Sequence, residues 1–212
     1  IAGMMMLVRW MEGDLDLYFT EPGSTPLRQI ERKIDFVAMV PYQVFHSLEK
    51  LDKVKTLLIG GGAIEPSLQM SVRNTNCRIF QSYGMTETIT HIALREINPH
   101  LQHVYRLLPG VKVRLDERSC LVIDAPDIGV QNLVTNDVAE LISDSEFRWI
   151  GRYDNVVNSG GIKIFPEELE AQIGDIGFNY VIGGIPDSAL GEQLVMVIEA
   201  DSREIVPKLS NK

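Results

Sequence analysis

The sequence predicts an α/β fold built on a parallel β-sheet, because short apolar runs alternate with helix-like segments in the first half of the chain. The apolar runs at residues 34–40, 56–59 and 77–80 are typical of buried strands. Pro41 and Pro66 follow the first two runs, and each predicts the first turn of a helix. Strands that alternate with helices form a parallel sheet, whose carboxyl-end loops are where ligands bind.

The second half of the chain has a different pattern. Short apolar runs separated by polar turns predict an antiparallel β subdomain. These runs are residues 111–115, 121–123 and 139–142. After Gly151 the chain is polar and contains glycine, and a helix with acidic residues in its first turn is predicted from Pro166. Two more strands are predicted at residues 180–185 and 194–200, and a domain boundary at residues 152–154.

Composition and charge exclude several classes of protein. The chain has 212 residues, of which 45% are apolar, and this is normal for a globular protein with a packed core. The net charge of −9 and the lack of a basic stripe argue against a nucleic-acid partner. No apolar run reaches the roughly 18 residues that a membrane span needs. The short run at residues 4–8 has no basic leader, so no signal peptide is expected and the protein is predicted to be cytoplasmic.

The cysteines and histidines do not predict a metal site. Cys77 and Cys120 are too few and too far apart for a disulfide framework or a metal-ligand spacing, so we interpret them as reduced thiols. His100 and His103 are close enough to share a metal ion, but they lie in a polar loop beside Pro99. Solvated loop histidines are the more ordinary interpretation.

Residues 81–88, Gln-Ser-Tyr-Gly-Met-Thr-Glu-Thr, carry the strongest functional pattern and directly follow a predicted strand. Tyr83 offers a flat ring, and Gly84 lets the backbone come close to a ligand. Thr86 offers a hydroxyl donor, and Glu87 a carboxylate that can hold a hard cation. This combination suits a nucleotide phosphate with Mg²⁺. The alternative is an ordinary turn before a helix.

Two later segments, in the same order and at similar spacing, extend this pattern to a known family. Residues 134–140 read Val-Thr-Asn-Asp-Val-Ala-Glu, and residues 151–170 begin Gly-Arg-Tyr-Asp and continue through Gly-Gly-Ile-Lys-Ile to Glu-Leu-Glu. Together with Tyr-Gly-Met-Thr-Glu at residues 83–87, they resemble the adenylate-forming acyl-CoA synthetase superfamily. The one departure is Asn136, which stands where the family's Thr-Gly-Asp motif has glycine. Asparagine also tolerates a positive φ, so the local turn is expected to survive.

The resemblance implies a role in nucleotide binding for several side chains. Tyr83 is expected to stack on adenine, Thr86 to donate to the α-phosphate, and Glu87 to hold Mg²⁺. Asp137 and Arg152 are expected to fix the ribose hydroxyls, since a carboxylate accepts from two vicinal hydroxyls and a nearby guanidinium keeps it ionised. The alternatives are a solvated acid at a helix start for Glu87 and a surface salt bridge for the Asp137–Arg152 pair.

The glycines between the second predicted strand and its helix are expected to belong to the same site. By the resemblance, Gly60, Gly61 and Gly62 line the acyl pocket and the adenine edge, where bare backbone leaves room for a ring-bearing substrate. The alternative is a tight strand-to-helix turn that contacts no ligand.

The segment after the predicted boundary is expected to serve CoA. Gly160 and Gly161 resemble the loop that passes the pantetheine arm, and Lys163 either contacts a CoA phosphate or is solvated. Asp154 matches the hinge about which the small domain of such enzymes rotates between two half-reactions.

The resemblance also implies how the chain divides. Residues 1–151 correspond to the C-terminal portion of the large AMP-binding domain, and residues 152–212 to the hinge and the start of a small α+β domain. The family's phosphate loop is expected before Ile1 and its late lysine after Lys212, so we expect an internal piece of a longer enzyme that is inactive by itself. Lys208 follows Pro207 without a Gly-Lys context and is not assigned that role.

These features predict an AMP-forming acid–CoA ligase that uses ATP, Mg²⁺ and CoA with a small carboxylic acid. Residues 85–93 and 1–9 are most similar to the o-succinylbenzoate–CoA ligases of menaquinone biosynthesis, so o-succinylbenzoate is the expected acid. Three alternatives stay open: another acyl-CoA ligase, an adenylation domain that loads a carrier protein, and a non-catalytic piece that folds or binds nucleotide weakly. The sequence does not determine the oligomeric state, and a homo-oligomer is one of the states that it allows.

Overall fold

A large mixed β-sheet dominates the computed structural model, which describes residues 2–199. Its strands are β1 (Ile34–Met39), β2 (Val54–Ile59), β3 (Arg78–Gly84), β4 (His91–Asn98), β5 (Tyr105–Leu107), β6 (Lys112–Leu115), β7 (Cys120–Ala125), β8 (Val130–Ser143) and β9 (Glu146–Arg152). They lie in the order β1-β2-β3-β4-β5-β9-β8-β7-β6. Strands β1, β2 and β3 are parallel, as predicted, and every later pair is antiparallel. The predicted antiparallel strands are therefore present, but they continue the same sheet.

Four α-helices accompany the strands in the described part of the chain. They are α1 (Ala2–Gly13), α2 (Pro41–Phe45), α3 (Pro66–Val72) and α4 (Pro166–Ile173). Three of them begin at the proline that the sequence analysis identified, because proline has the φ of a helix and the first turn needs no N–H donor. A 3₁₀ turn at Leu48–Lys53 links α2 to β2. No helix between residues 2 and 199 is long and apolar enough to span a membrane.

The parallel strands pack against α2 and α3 in a core made of aliphatic side chains. Its fully buried members include Val44, Leu51, Leu57, Val72 and Ile79. The alternating burial of β2 places Leu57 and Ile59 on the helix side of the sheet. Cys77 and Cys120 are both buried free thiols.

An aromatic cluster ties the parallel strands to the antiparallel ones. The rings of Tyr83 on β3, Tyr105 on β5 and Phe147 on β9 lie with their centroids 5.2 to 5.7 Å apart. Phe147 is completely buried. Tyr83 lies near the end of β3 and Phe147 near the start of β9, so the three rings hold these parts of the sheet together across the intervening strands.

A second, antiparallel sheet follows residue 156. Its strands are β10 (Val157–Ser159), β11 (Ile162–Ile164), β12 (Tyr180–Asp187) and β13 (Gly191–Ile198), in the order β11-β10-β13-β12. The two sheets are joined by a 3₁₀ turn at Tyr153–Asn155, at the position of the predicted domain boundary. Residues 200–212, with the end of the last predicted strand and Lys208, lie outside the described residues.

Candidate functional site

A cavity of about 840 Å³ opens between the loop after β2, the end of β3, the facing parts of β8 and β9, and helix α4. Seven of the predicted site residues line it. They are Gly61, Gly62, Tyr83, Gly84, Glu87, Asp137 and Arg152. The other six do not. They are Gly60, Thr86, Asp154, Gly160, Gly161 and Lys163. The structure therefore brings most of the predicted nucleotide site together and leaves the predicted CoA residues outside this cavity.

Asp137 lies at the centre of the polar contacts in the cavity. Its Oδ2 accepts a hydrogen bond from the Tyr83 hydroxyl at 2.8 Å, and its Oδ1 accepts one from Trp149 Nε1 at 3.2 Å. Arg152 Nη1 lies 3.8 Å from the same Oδ1. Asp137 is only 7% exposed, so this carboxylate is more than the surface salt bridge of the alternative interpretation.

A β-bulge presents Asp137 to the cavity. Val122 on β7 pairs with Val134 on β8, and Cys120 pairs with Val138, so β8 carries extra residues between the two pairs. A bulge of this kind redirects the side chains that it contains. The hydroxyl of Thr135 stabilises it, since Oγ1 donates to Leu121 O at 2.8 Å and accepts from Asp137 N at 3.1 Å.

Tyr83 is held on two sides by other residues of the protein. Its ring packs at 5.2 Å against Phe147, and its hydroxyl donates to Asp137. Burial, reinforced by the Asp137 carboxylate, raises the pKa of the Tyr83 hydroxyl. The group therefore stays protonated and keeps donating. Stacking of this ring on adenine stays a prediction.

Gly84 is required by the fold. A Cβ there would lie 2.6 Å from Thr90 O and 2.7 Å from His91 Cα, both backbone atoms of the adjoining turn and strand. Residues 81–84 continue β3 and pair with β4, so the prediction that this strand ends at residue 80 is wrong. The close approach that Gly84 permits is to the chain's own backbone.

The three glycines after β2 differ in their reasons. A Cβ at Gly60 would lie 2.6 Å from Ser82 Oγ, so a larger residue there would displace the Ser82 hydroxyl from its hydrogen bond to Ile59 O. Gly61 has a φ of +81°, which favours glycine. Only Gly61 and Gly62 reach the cavity. Gly60 therefore has the structural role of the alternative interpretation, whereas Gly61 and Gly62 form part of the cavity wall.

Thr86 and Glu87 lie in a 3₁₀ turn, Thr86–Thr88, after β3, and both are exposed. The buried Thr88 fixes this turn: its Oγ1 accepts from Met85 N at 2.9 Å and also bonds Met85 O and Thr90 O. No group of three His, Cys, Asp or Glu side chains in the described residues could hold a metal ion. Mg²⁺ is usually bound through one or two carboxylates with phosphate and water, so Glu87 on the cavity wall fits that role.

The predicted CoA residues have other surroundings. Gly160 and Gly161 form the two-residue turn of the β10–β11 hairpin, with φ of +59° and +84°. Such turns need positive φ at both positions, which explains both glycines without a ligand. Lys163 on β11 has its Nζ 5.8 Å from the centre of the Tyr153 ring. Their contact with CoA stays a prediction.

Asn136 does not need the conformational freedom of glycine. It lies inside β8, and it is not among the described residues with positive φ. The turn expected at this position is therefore absent, and the residue belongs to a strand. The side chain instead makes hydrogen bonds to Arg118 and to Asp154.

Sequence reasoning missed Trp149 and Thr88. Trp149 pairs with Ala139 across β8 and β9, and its contact with Asp137 depends on the register shift between these strands. No periodicity indicates such a shift. Thr88 is the last residue of the motif at residues 81–88 and is completely buried. Its position next to Glu87 was the sequence feature that could have indicated a role in supporting that residue.

Comparisons with known proteins agree with the motifs. A family model described as AMP-binding enzyme matches residues 14–125. The 2-succinylbenzoate–CoA ligase of Escherichia coli (strain K12) is 25% identical over an alignment of length 223. The alignment covers 97% of this chain and 49% of that protein. The chain thus spans about half the length of this curated relative.

Solved structures share the fold. The crystal structure of an acyl-CoA synthetase (AMP-forming)/AMP-acid ligase II-like protein from Dyadobacter fermentans matches 98% of this chain and 63% of its own, with a TM-score of 0.69 and 39% identity. The o-succinylbenzoate coenzyme A synthetase of Bacillus subtilis, solved with ATP and a magnesium ion, matches 82% of this chain and 44% of its own. Its TM-score is 0.64 at 19% identity, which supports likeness of fold alone.

Proposed function

The chain belongs to the family of AMP-binding enzymes, and we propose that the native protein is an AMP-forming acid–CoA ligase. In that reaction a carboxylate attacks the α-phosphate of ATP and pyrophosphate leaves. The thiol of CoA then attacks the acyl carbonyl of the acyl-adenylate and AMP leaves. Both steps gather anionic groups, so the enzyme must supply donors and cations at the phosphates.

The observation that carries the proposal is the Asp137 carboxylate in the 840 Å³ cavity. Asp137 is buried, oriented by two donors, and faced by the Arg152 guanidinium 3.8 Å away. A fixed carboxylate suits the two vicinal hydroxyls of ribose, because each can donate one hydrogen bond to it. The cavity is also large enough for a nucleotide, since small-molecule sites typically measure about 300–1,000 Å³.

The other cavity residues fit the remaining parts of a nucleotide with its metal. Glu87 would hold Mg²⁺, which supplies positive charge against the phosphates, and the neighbouring Thr86 hydroxyl would donate to the α-phosphate. Tyr83 would contact adenine. Gly61 and Gly62 leave the wall next to β2 without side chains, where an acyl group has room.

For the acid we propose o-succinylbenzoate. Support comes from the similarity to the Escherichia coli 2-succinylbenzoate–CoA ligase over 97% of this chain. We further propose that residues 152–155 form the hinge of a small domain that rotates between the half-reactions. Gly160, Gly161 and Lys163 would then meet CoA in a second orientation, which is compatible with their position away from the cavity.

Asp137→Ala tests the nucleotide site directly. In calorimetric titration with AMP, this variant should raise the dissociation constant by about tenfold or more, the effect of losing one charged hydrogen-bond acceptor. In steady-state kinetics of the complete ligase reaction, Asp137→Ala should raise the KM for ATP by a larger factor than it lowers kcat. The reason is that ribose contacts are alike in the ground and transition states. The matched control is Asp144→Ala, in the exposed turn between β8 and β9.

Two outcomes would each overturn one part of the proposal. Equal AMP affinity for the wild type, Asp137→Ala and Asp144→Ala would remove Asp137 from the site. Mass spectrometry of the products should show a CoA thioester of o-succinylbenzoate. A thioester formed only with a straight-chain fatty acid would leave the ligase proposal standing and overturn the proposed acid.

A further inference from the structure

The side-chain amide of Asn136 links two parts of the molecule that are far apart in sequence. Its Oδ1 accepts a hydrogen bond from Arg118 Nη1 at 3.1 Å, in the turn between β6 and β7. Its Nδ2 donates to both carboxylate oxygens of Asp154, each at 3.2 Å, in the 3₁₀ turn that joins the two sheets. Asn136 thus connects the large sheet to the junction.

The orientation of this amide follows from the chemistry of its partners. A guanidinium can only donate, and an ionised carboxylate can only accept. The carbonyl oxygen of Asn136 must therefore face Arg118, and its NH₂ group must face Asp154. Glycine, which the family motif has at this position, could make neither contact.

Arg118 is a firm anchor for one end of the bridge. Its Nε donates to Asp116 Oδ2 at 3.0 Å, and its Nη2 donates to Thr135 O at 3.1 Å. Its guanidinium also lies 5.0 Å from the centre of the Tyr153 ring, on the junction. Because these three contacts fix the Arg118 guanidinium, its hydrogen bond also restrains the side-chain amide of Asn136.

The other end of the bridge leads back to the cavity. Asp154 Oδ2 accepts a hydrogen bond from Arg152 Nη2 at 2.9 Å, and the other terminal nitrogen of Arg152 lies 3.8 Å from Asp137 Oδ1. The bond from Arg152, with a further contribution from Asn136, lowers the pKa of Asp154. The carboxylate is therefore ionised and accepts from both donors.

We propose that Asn136 is a positioning residue that clamps the junction between the two sheets. It holds Asp154, and through Asp154 it keeps the Arg152 guanidinium beside the nucleotide-facing Asp137. The effect on nucleotide affinity rests on the proposed function, whereas the clamp on the junction does not. If the small domain rotates, the bridge must break, so Asn136 favours the orientation seen here.

Two variants separate the arms of the bridge. Asn136→Gly removes both arms and introduces the residue of the family motif. Asn136→Asp keeps the shape and the contact with Arg118, but it places a second carboxylate against Asp154 and removes the donor. The matched control is Asn132→Gly, which also loses a contact with an arginine, Arg114. Asn132 has a φ of +53°, which glycine adopts readily.

Hydrogen–deuterium exchange of the peptide covering residues 152–156 measures the clamp in the absence of any ligand. Asp154 and Arg152 are 54% and 47% exposed, so each contact is partly screened by water. We expect exchange about threefold to tenfold faster in Asn136→Gly and Asn136→Asp than in the wild type. Asn132→Gly should match the wild type at this peptide. AMP affinity should fall in the two Asn136 variants only.

The exchange experiment decides the proposal. Unchanged exchange at residues 152–156 in either Asn136 variant would overturn it, as would an equal increase in Asn132→Gly. If the wild type binds no AMP, the proposed function fails, and faster exchange in the two Asn136 variants would still support the clamp. If AMP binds the wild type and the Asn136 variants equally while exchange rises, the link from Asn136 to Arg152 and Asp137 is overturned.

Discussion

At the scale of single residues, the candidate site depends on a carboxylate whose surroundings are built before a ligand arrives. Tyr83 and Trp149 hold one oxygen of Asp137 each, and both donors pack against the buried cluster around Phe147. Ordering a side chain during binding costs about 0.5–1.5 kcal/mol, so a carboxylate already fixed avoids that cost. Ribose would then complete an arrangement that the fold has prepared.

Glu87 has the opposite character, since it is exposed on a short turn. Glu87→Gln keeps the shape and removes the charge that would hold Mg²⁺. We expect the adenylation rate to fall on the order of 100-fold, with a smaller change in ATP affinity, because charge develops on pyrophosphate only as the reaction proceeds. The measurement is acid-dependent exchange of labelled pyrophosphate into ATP by the native protein at several Mg²⁺ concentrations.

Glu49→Gln is the matched control for Glu87→Gln, since Glu49 is exposed in the 3₁₀ turn before β2 and does not line the cavity. An exchange rate in Glu87→Gln equal to that of Glu49→Gln at saturating Mg²⁺ would remove Glu87 from the metal site.

The residues of the site were partly predictable because their motifs resemble those of one family. The motifs containing Tyr83 and Asp137 lie 54 positions apart, and that resemblance assigned both of them to one nucleotide site. Their direct hydrogen bond was not predictable, because it depends on the bulge in β8 and on the ring packing with Phe147. Contacts of this kind are set by strand register, which one sequence does not display.

At the scale of secondary structure, the end of β3 shows how a motif glycine can serve the fold. Gly84 is the last residue of the strand, and the chain turns back within a few residues to form β4. Gly84→Ala should lower the free energy of unfolding by roughly 2 kcal/mol, because its Cβ would collide with backbone atoms that can move only by disturbing the β3–β4 pairing.

Urea denaturation of Gly84→Ala beside Gly23→Ala checks this expectation. Gly23 has open space where the methyl group of alanine would lie and no left-handed φ, so alanine is tolerated there. If Gly84→Ala has the same unfolding midpoint as Gly23→Ala but binds AMP more weakly, then Gly84 serves ligand binding alone, as the sequence suggested.

Strand β8 shows why some element bounds were missed. It runs for 14 residues, whereas the sequence predicted only residues 139–142 as a strand. The bulge interrupts the alternation of buried and exposed side chains, and polar residues at 135–137 then look like a turn. The parallel strands β1 and β2 were predicted to within two residues at each end, because they are largely apolar runs followed by proline or glycine.

At the scale of the whole molecule, the two sheets meet at a short connection that polar side chains restrain. Arg148 bridges Glu140 on β8 and Glu168 on α4 at 2.8 and 2.9 Å, and Glu167 Oε1 accepts from Asn155 Nδ2 at 2.6 Å. These contacts are made by partly exposed polar and charged groups, so contacts with water can replace them at little cost in free energy. Polar contacts of this kind suit the rotation of the small domain that we propose.

A proline at the start of the junction tests whether the small sheet must rotate for the second half-reaction. The sequence pointed to Asp154, but the structure favours Tyr153, the first residue of the 3₁₀ turn, for this substitution. Arg152 before it is extended, with φ −91° and ψ 133°, the conformation that a following proline prefers. Tyr153→Pro should therefore fit the orientation described here while it removes the freedom of φ that rotation needs.

The expected result is a separation of the two half-reactions in the native protein. Acid-dependent pyrophosphate exchange should persist in Tyr153→Pro, while thioester formation from supplied acyl-adenylate and CoA slows strongly. Tyr153→Ala is the control, because it loses the same ring contacts with Arg118 and Lys163 and keeps the backbone free. If both half-reactions fall equally relative to Tyr153→Ala, the proline has damaged the fold, and if both persist, any rotation takes place about another point.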